Sequence, residues 1–347
     1  MRDHVPAEIA PLTTPPNDRR ADAVVQIVGG GVAGLTVASA LSDRGVAVVV
    51  RDRAPGIGAS QCSWWAGGML APYCEEESAE PAVVALGTGA ADWWDAHTGG
   101  VTRNGTLVVA NGRDVTELRR FARRTRRHET VDAAAIGALE PDLAGRYHTG
   151  LFFREEAHLD PRETLHRLTS HLRERGVTLD YAAEATLGDG ITVDCRGLSA
   201  ADALTELRGV KGEMLLLRTR EVALTRPIRL LHPRHPLYVV PRADGVFMIG
   251  ATMIESDDRR RATARSVLEM LGAAYALHPA FAEAEILEIG VDARPAFPDN
   301  LPRVFWQGGR LHVNGLYRHG FLLAPAMAEQ AADRILQTLE VSSCASS

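Results

Sequence analysis

Val24-Val25-Gln26-Ile27-Val28-Gly29-Gly30-Gly31-Val32-Ala33-Gly34 is the stretch on which the fold turns. Val24, Val25, Ile27 and Val28 read as a buried parallel strand that runs directly into a GxGxxG pattern at Gly29, Gly31 and Gly34. Each glycine has its own physical task. Gly29 allows a tight turn, Gly31 lets backbone N–H groups approach a pyrophosphate, and Gly34 permits close helix–strand packing. Apolar Leu35, Ala38 and Leu41 then share one helix face, Gly45 supplies a C-terminal stop, and Val46 to Val50 reads as a second strand. Asp52 follows Gly34 at close to the roughly 20-residue spacing at which an acidic side chain meets ribose hydroxyls, with Arg53 beside it. Strand, glycines, helix, strand and acid in this order predict a dinucleotide site, without separating a nicotinamide from a flavin dinucleotide.

Outward from this unit, 347 residues allow one large domain or two intertwined ones. Hydrophobic residues make up 46% of the chain, mean hydropathy is −0.08, and no run approaches eighteen apolar residues, which predicts a soluble globular protein without a membrane span. The formal charge of −6 removes any general attraction to nucleic acid or anionic lipid. Four cysteines without CxxC spacing, and no secretory signal pattern, predict a reducing, cytoplasmic compartment. The twelve histidines contain no HxxxH or HExxH pair, so no metal site is expected. Residues 1–22, Pro-rich and polar, are expected to be a disordered extension, and 341–347 a flexible tail.

Beyond Asp52 lie Trp65-Ala66-Gly67-Gly68-Met69-Leu70-Ala71-Pro72, Val193-Asp194-Cys195-Arg196-Gly197 and Gly209-Val210-Lys211-Gly212-Glu213. They are followed by Leu237-Tyr238-Val239-Val240-Pro241-Arg242, Gly250-Ala251-Thr252-Met253, Asp292-Ala293-Arg294-Pro295 and Gly315-Leu316-Tyr317-Arg318-His319-Gly320-Phe321-Leu322-Leu323-Ala324-Pro325. With these seven stretches in order, residues 23–339 resemble the D-amino acid oxidase-like family of FAD-dependent amine oxidases, and within it the glycine oxidases of thiamine biosynthesis. The resemblance implies an α/β fold with a discontinuous, Rossmann-like FAD-binding domain over 23–80, 130–205 and 290–340. It implies an α+β substrate domain with a mainly antiparallel sheet over 81–129 and 206–289. It further implies FAD held non-covalently, since the only late cysteine is Cys344, oxidation of glycine by O2, a homotetramer, and delivery of the imine to thiazole synthase. A D-amino acid or sarcosine dehydrogenase or oxidase, and a flavoprotein that modifies transfer RNA, are the alternatives. Where the family often has histidine and asparagine, this chain has Leu316 and His319.

Oxidation of an amino acid requires a carboxylate held in a dry pocket, which an arginine fork does best. The resemblance assigns this to Arg294, with Asp292 or Glu288 as partners if it is merely structural. Tyr238 is the companion hydroxyl. Asp244-Gly245 predicts a two-residue hairpin that sets Tyr238 opposite Ala251 and diagonal to Met253. Arg318 is placed by the resemblance near flavin and substrate. Cofactor contacts are expected at Gly29, Gly31, Gly34, Asp52, Arg53, Gly67, Gly68, Met69, Gly197, Gly315, Gly320 and Leu322. An apolar-periodic helix through Leu323, Met327, Ala331 and Ile335 is expected to hold Pro325 in its first turn. The arginines between Arg119 and Arg127, behind a capping-box-like Asp114, read as a solvated helix face, with partner docking as the alternative, and Glu75 to Glu77 as solvated acids, with a place at the site entrance near Met69 as the alternative for one of them. Cys195, Trp64-Trp65 and Trp93-Trp94 read as packing residues.

Overall fold

Val25 and Ile27 point into a core with no solvent exposure, and strand Val25–Val28 pairs in parallel with Val48–Asp52 on one side and Thr192–Asp194 on the other. The computed structural model describes residues 24–183, 190–232 and 236–345. The extension expected over residues 1–22 lies outside them. Thr178–Tyr181 and the hairpin Arg303–Gln307/Arg310–Asn314 complete a six-stranded sheet. Helix Val32–Asp43 leaves the glycine turn and ends at Arg44, where the Val46 N–H bonds to the Leu41 carbonyl and the Gly45 N–H to that of Ser42. This helix-closing pair draws Val46 to the helix end, and the second strand starts at Val48 rather than Val46.

Helix Gly320–Ala345 packs against Val32–Asp43 through Leu323, Met327, Ala331 and Ile335, and it continues into the stretch expected to be tail. Pro325 lies inside this helix rather than in its first turn. Its missing N–H frees the Phe321 carbonyl, which accepts a hydrogen bond from the buried Trp94 indole at 2.7 Å. The helix therefore runs on past its proline with that carbonyl satisfied.

The larger, nine-stranded sheet is antiparallel except where Ile228–Leu231 runs parallel to Thr106–Ala110. Strand Arg208–Arg218 lies between Glu285–Ala296 and Val246–Gly250. Two parts of the expected domain division are corrected by these pairings. Glu129–Asp132 and Thr149–Phe153 join the larger sheet, whereas Val83, Ala90 and Trp94 pack in the core of the smaller one. The hairpin register is also corrected. The Arg242 N–H bonds to the Val246 carbonyl at 2.7 Å, leaving a three-residue loop in which Asp244 and Gly245 take φ of 58° and 68°. Tyr238 therefore opposes Gly250, not Ala251, and Met253 lies beyond the strand end.

Candidate functional site

A cavity of about 1610 Å³ runs along the junction of the two sheets, from the Gly29 turn to Arg294. It exceeds the roughly 300–1,000 Å³ of a site for one drug-sized ligand. At one end Gly29 has φ 110°, and a Cβ on Gly34 would lie 1.8 Å from the Gly29 carbonyl, so helix and strand approach as closely as backbone allows. Gly31, at the helix N-cap, brings no capping side chain, and the Val32 N–H donates to Ser63 Oγ at 3.0 Å. First-turn N–H groups of this kind hold a pyrophosphate.

Asp52 lies on the cavity wall and also ties the turn, its Oδ2 accepting from the Gly30 N–H at 2.6 Å and from Gln61 Nε2 at 3.1 Å. Arg53 donates to Ser199 Oγ at 2.7 Å, and the Gly197 carbonyl accepts from Asn314 Nδ2 at 2.9 Å. Gly67, Gly68 and Met69 form the middle of the wall, with Gly315, Gly320 and Leu322 also on it. A side chain at Gly68 would meet the Leu159 carbonyl at 2.2 Å. Arg242 fixes this region by donating to the carbonyls of Gly67 and Leu159, each at 2.7 Å. Burial, only partly offset by Asp160, lowers its pKa to about 10. Glycine turn, helix N-terminus and elongated cavity fit an extended dinucleotide.

At the other end, Arg294 sits on strand Glu285–Ala296 with its guanidinium over Gly212, where a Cβ would lie 2.3 Å from Arg294 Nη2. Its Nη1 donates to the Thr252 carbonyl at 3.0 Å. Asp292 pairs with Arg259 at 2.5 Å and Glu288 with Arg162 at 2.7 Å. Among the described residues, Arg294 is thus left without a carboxylate partner, against its purely structural reading. Tyr238 lies between Gly67 and Gly250, and burial raises its phenol pKa despite the opposing field of Arg294. Met253 places its sulfur 3.6 Å from Arg318 Nη1 and 3.7 Å from the Tyr317 hydroxyl.

Glu75 is the largest departure from the sequence reading, which placed it in solvent. The short helix Pro72–Glu75 turns it inward, where it is buried and bonded to Arg229, to Arg318 Nη2 at 2.8 Å and to His319 Nε2 at 2.9 Å. Burial pushes its pKa up, but Arg318 and Arg229 prevail and hold the carboxyl well below its usual range. Burial lowers the His319 pKa, which favours a neutral ring donating from Nε2 to Glu75. Arg229 was missed, although one arginine within Ile228-Arg229-Leu230-Leu231 is a signal for a buried cation. Glu76 and Glu77, also expected in solvent, are partly buried, at 9% and 21% side-chain exposure, and pair with Arg126 at 2.9 Å and Arg124 at 3.2 Å. Arg119 and Arg123 are exposed on helix Val115–Arg124, and Asp114, expected to cap it, makes no capping bond. Among the described residues there is no metal-binding cluster, and no helix is long and apolar enough to cross a membrane.

Fold and site together define a dinucleotide-binding protein whose cavity ends in a cationic pocket. The chain belongs to the FAD dependent oxidoreductase family, whose model matches residues 25–334. It is 57% identical over 315 residues to a Rhizobium etli protein named as a thiamine biosynthesis oxidoreductase, ThiO, covering 90% of this chain and 96% of that one. It is 27% identical over 347 residues to glycine oxidase of Pseudomonas putida, covering 89% and 93%. The crystal structure of glycine oxidase from Bacillus cereus superposes with a TM-score of 0.77 at 22% identity, covering 91% and 95%.

Proposed function

We propose that the protein is an FAD-dependent glycine oxidase, converting glycine to its imine while O2 is reduced to H2O2. The observation that carries this reading is Arg294, an arginine that has no carboxylate partner among the described residues and shares a cavity wall with the Tyr238 phenol. When bound, FAD supplies the acceptor for the hydride lost from Cα. Arg294 holds the substrate carboxylate and Tyr238 aims the substrate, while Met253 forms a soft wall. Arg318, anchored by Glu75, raises the local positive potential, which favours the free amine over the ammonium. No side-chain general base is needed. The glycine turn, Asp52, Arg53 and Gly197 serve the adenosine end of the cofactor, and Gly67 to Met69 with Gly315, Gly320 and Leu322 its flavin end.

The name of the Rhizobium relative supports a place in thiamine biosynthesis. In this reading thiazole synthase receives the imine. Exposed Ile286, Leu287 and Ile289 on strand Glu285–Ala296 support self-association into a tetramer. Cytoplasmic location and non-covalent FAD complete the reading, and acid precipitation is expected to release all yellow colour into the supernatant.

The decisive test is anaerobic mixing with glycine. Bleaching of the flavin, with recovery and peroxide on admitting air, is the expected result; bleaching only by D-alanine or sarcosine moves the substrate. Arg294→Lys keeps a charge but loses the fork, and is expected to lower kcat/KM for glycine about 100-fold, equivalent to about 3 kcal/mol, mainly through KM.

A further inference from the structure

We propose that Met253 is a peroxide-oxidation site, by which the product of turnover modifies the substrate end of the cavity. The inference rests on the oxidase reading above, which supplies the oxidant. The chain has seven methionines. Met214, Met248, Met270 and Met327 are buried, at 4% exposure or less, and Met69 is partly buried. Met253 is 53% exposed and lines the same cavity as Arg294 and Tyr238. Among the described methionines it alone combines solvent access with a place where peroxide is released.

In the modifying step, the Met253 sulfur attacks one oxygen of H2O2 as the O–O bond breaks. The sulfur loses two electrons and becomes a sulfoxide, and the other oxygen leaves as water with both protons. The surroundings give this change a consequence. A thioether is a weak acceptor, yet its sulfur already lies 3.6 Å from Arg318 Nη1 and 3.7 Å from the Tyr317 hydroxyl. A sulfoxide oxygen there is a strong acceptor placed between two donors. Arg318 Nη2 is committed, to Ser78 at 2.6 Å and Glu75 at 2.8 Å, and Nε lies against the His319 ring. Nη1 is the end left to face a ligand, and the sulfoxide claims it. Met253 belongs to none of the hydrophobic cores, so the fold survives the modification.

The test treats the holoenzyme with H2O2 alone and, separately, turns it over with glycine in air with and without catalase. Peptide mass spectrometry then follows oxygen gain at each methionine. Met253 is expected to gain one oxygen several-fold faster than Met69 and the four buried methionines, with activity falling in step. Catalase is expected to prevent the loss during turnover, and methionine sulfoxide reductase to restore it. Met253→Leu, whatever its starting activity, is expected to keep that activity at a peroxide dose that halves the wild type. Activity lost while Met253 stays unoxidised, or Met253 oxidised with activity unchanged, overturns the proposal. The arm with added peroxide needs no turnover. A flavin that neither glycine nor another small amine bleaches therefore overturns the oxidase reading, while prior oxidation of Met253 by added peroxide still supports the site.

Discussion

Glu75 sets the charge of the Arg318 end of the cavity, because it is the carboxylate that Arg229 and Arg318 share. Glu75→Gln preserves shape but leaves Arg229 and the partly buried Arg318 without the carboxylate they share, and is expected to cost about 3 kcal/mol in denaturant unfolding, the lower end of the range for removing one partner of a buried ion pair. It also has a kinetic signature. Removing a negative charge raises the local positive potential, lowers the pKa of a bound amine and moves the acidic limb of the kcat/KM profile to lower pH. A limb that moves to higher pH, in a variant that still folds, rules out this role. Gly34 is constrained by space rather than charge. A methyl group there lies 1.8 Å from the Gly29 carbonyl, so Gly34→Ala must push helix Val32–Asp43 off its strand. The expected product is a colourless protein that added FAD does not turn yellow.

Helix Gly320–Ala345 depends on a compensation between elements. Pro325 removes one helical bond, and Trp94, from helix Ala90–Thr98, restores a donor to the carbonyl left behind. Trp94→Phe keeps most of the apolar contact with Phe321 but leaves that carbonyl buried and unpaired, at a cost of about 1–3 kcal/mol. Hydrogen exchange is expected to quicken first in the N-terminal turns of this helix, where Gly320 and Leu322 line the cavity. The same elements show what sequence can reveal. The glycine turn was legible because every requirement on it is local: strand, close approach and helix start fall within eleven residues. The Tyr238 hairpin was misread by one residue because Asp244-Gly245 suits a two-residue turn and equally the three-residue loop that formed. That slip reverses which residues share the Tyr238 face. Glu75 was unreadable for a different reason. It looked like one of three adjacent acids, and the cations that bury it come from strand Ile228–Leu231 and from Arg318, just before the last helix, both far along the chain. Arg294 stood out in the sequence as a candidate through its motif, but its lack of a carboxylate partner among the described residues emerged only once Asp292 and Glu288 were seen bound elsewhere.

At the scale of the whole molecule, two buried groups two residues apart give opposite pH dependences to folding. Burial, opposed in part by Arg229, raises the Glu156 pKa from 4.5 to about 7, and burial lowers that of His158 from 6.5 to about 4. Between pH 4.5 and 7 the native state holds the Glu156 proton and the unfolded state does not, so stability falls by about 3 kcal/mol as pH rises across that window. Between pH 4 and 6.5 the unfolded state holds a proton that native His158 lacks, so stability rises by about the same amount. The two contributions nearly cancel, and neither shows in the wild type alone. Each emerges as a difference between variant and wild type, in which the exposed carboxylates drop out. Relative to wild type, Glu156→Gln is expected to gain about 3 kcal/mol as pH rises from 4.5 to 7, and His158→Gln to lose about 3 kcal/mol from 4 to 6.5. Urea unfolding midpoints measured across this range test both signs. Differences that do not change with pH would mean that Glu156 is ionised, or His158 protonated, in the folded protein, and that Arg229 has a second full carboxylate partner behind Glu75.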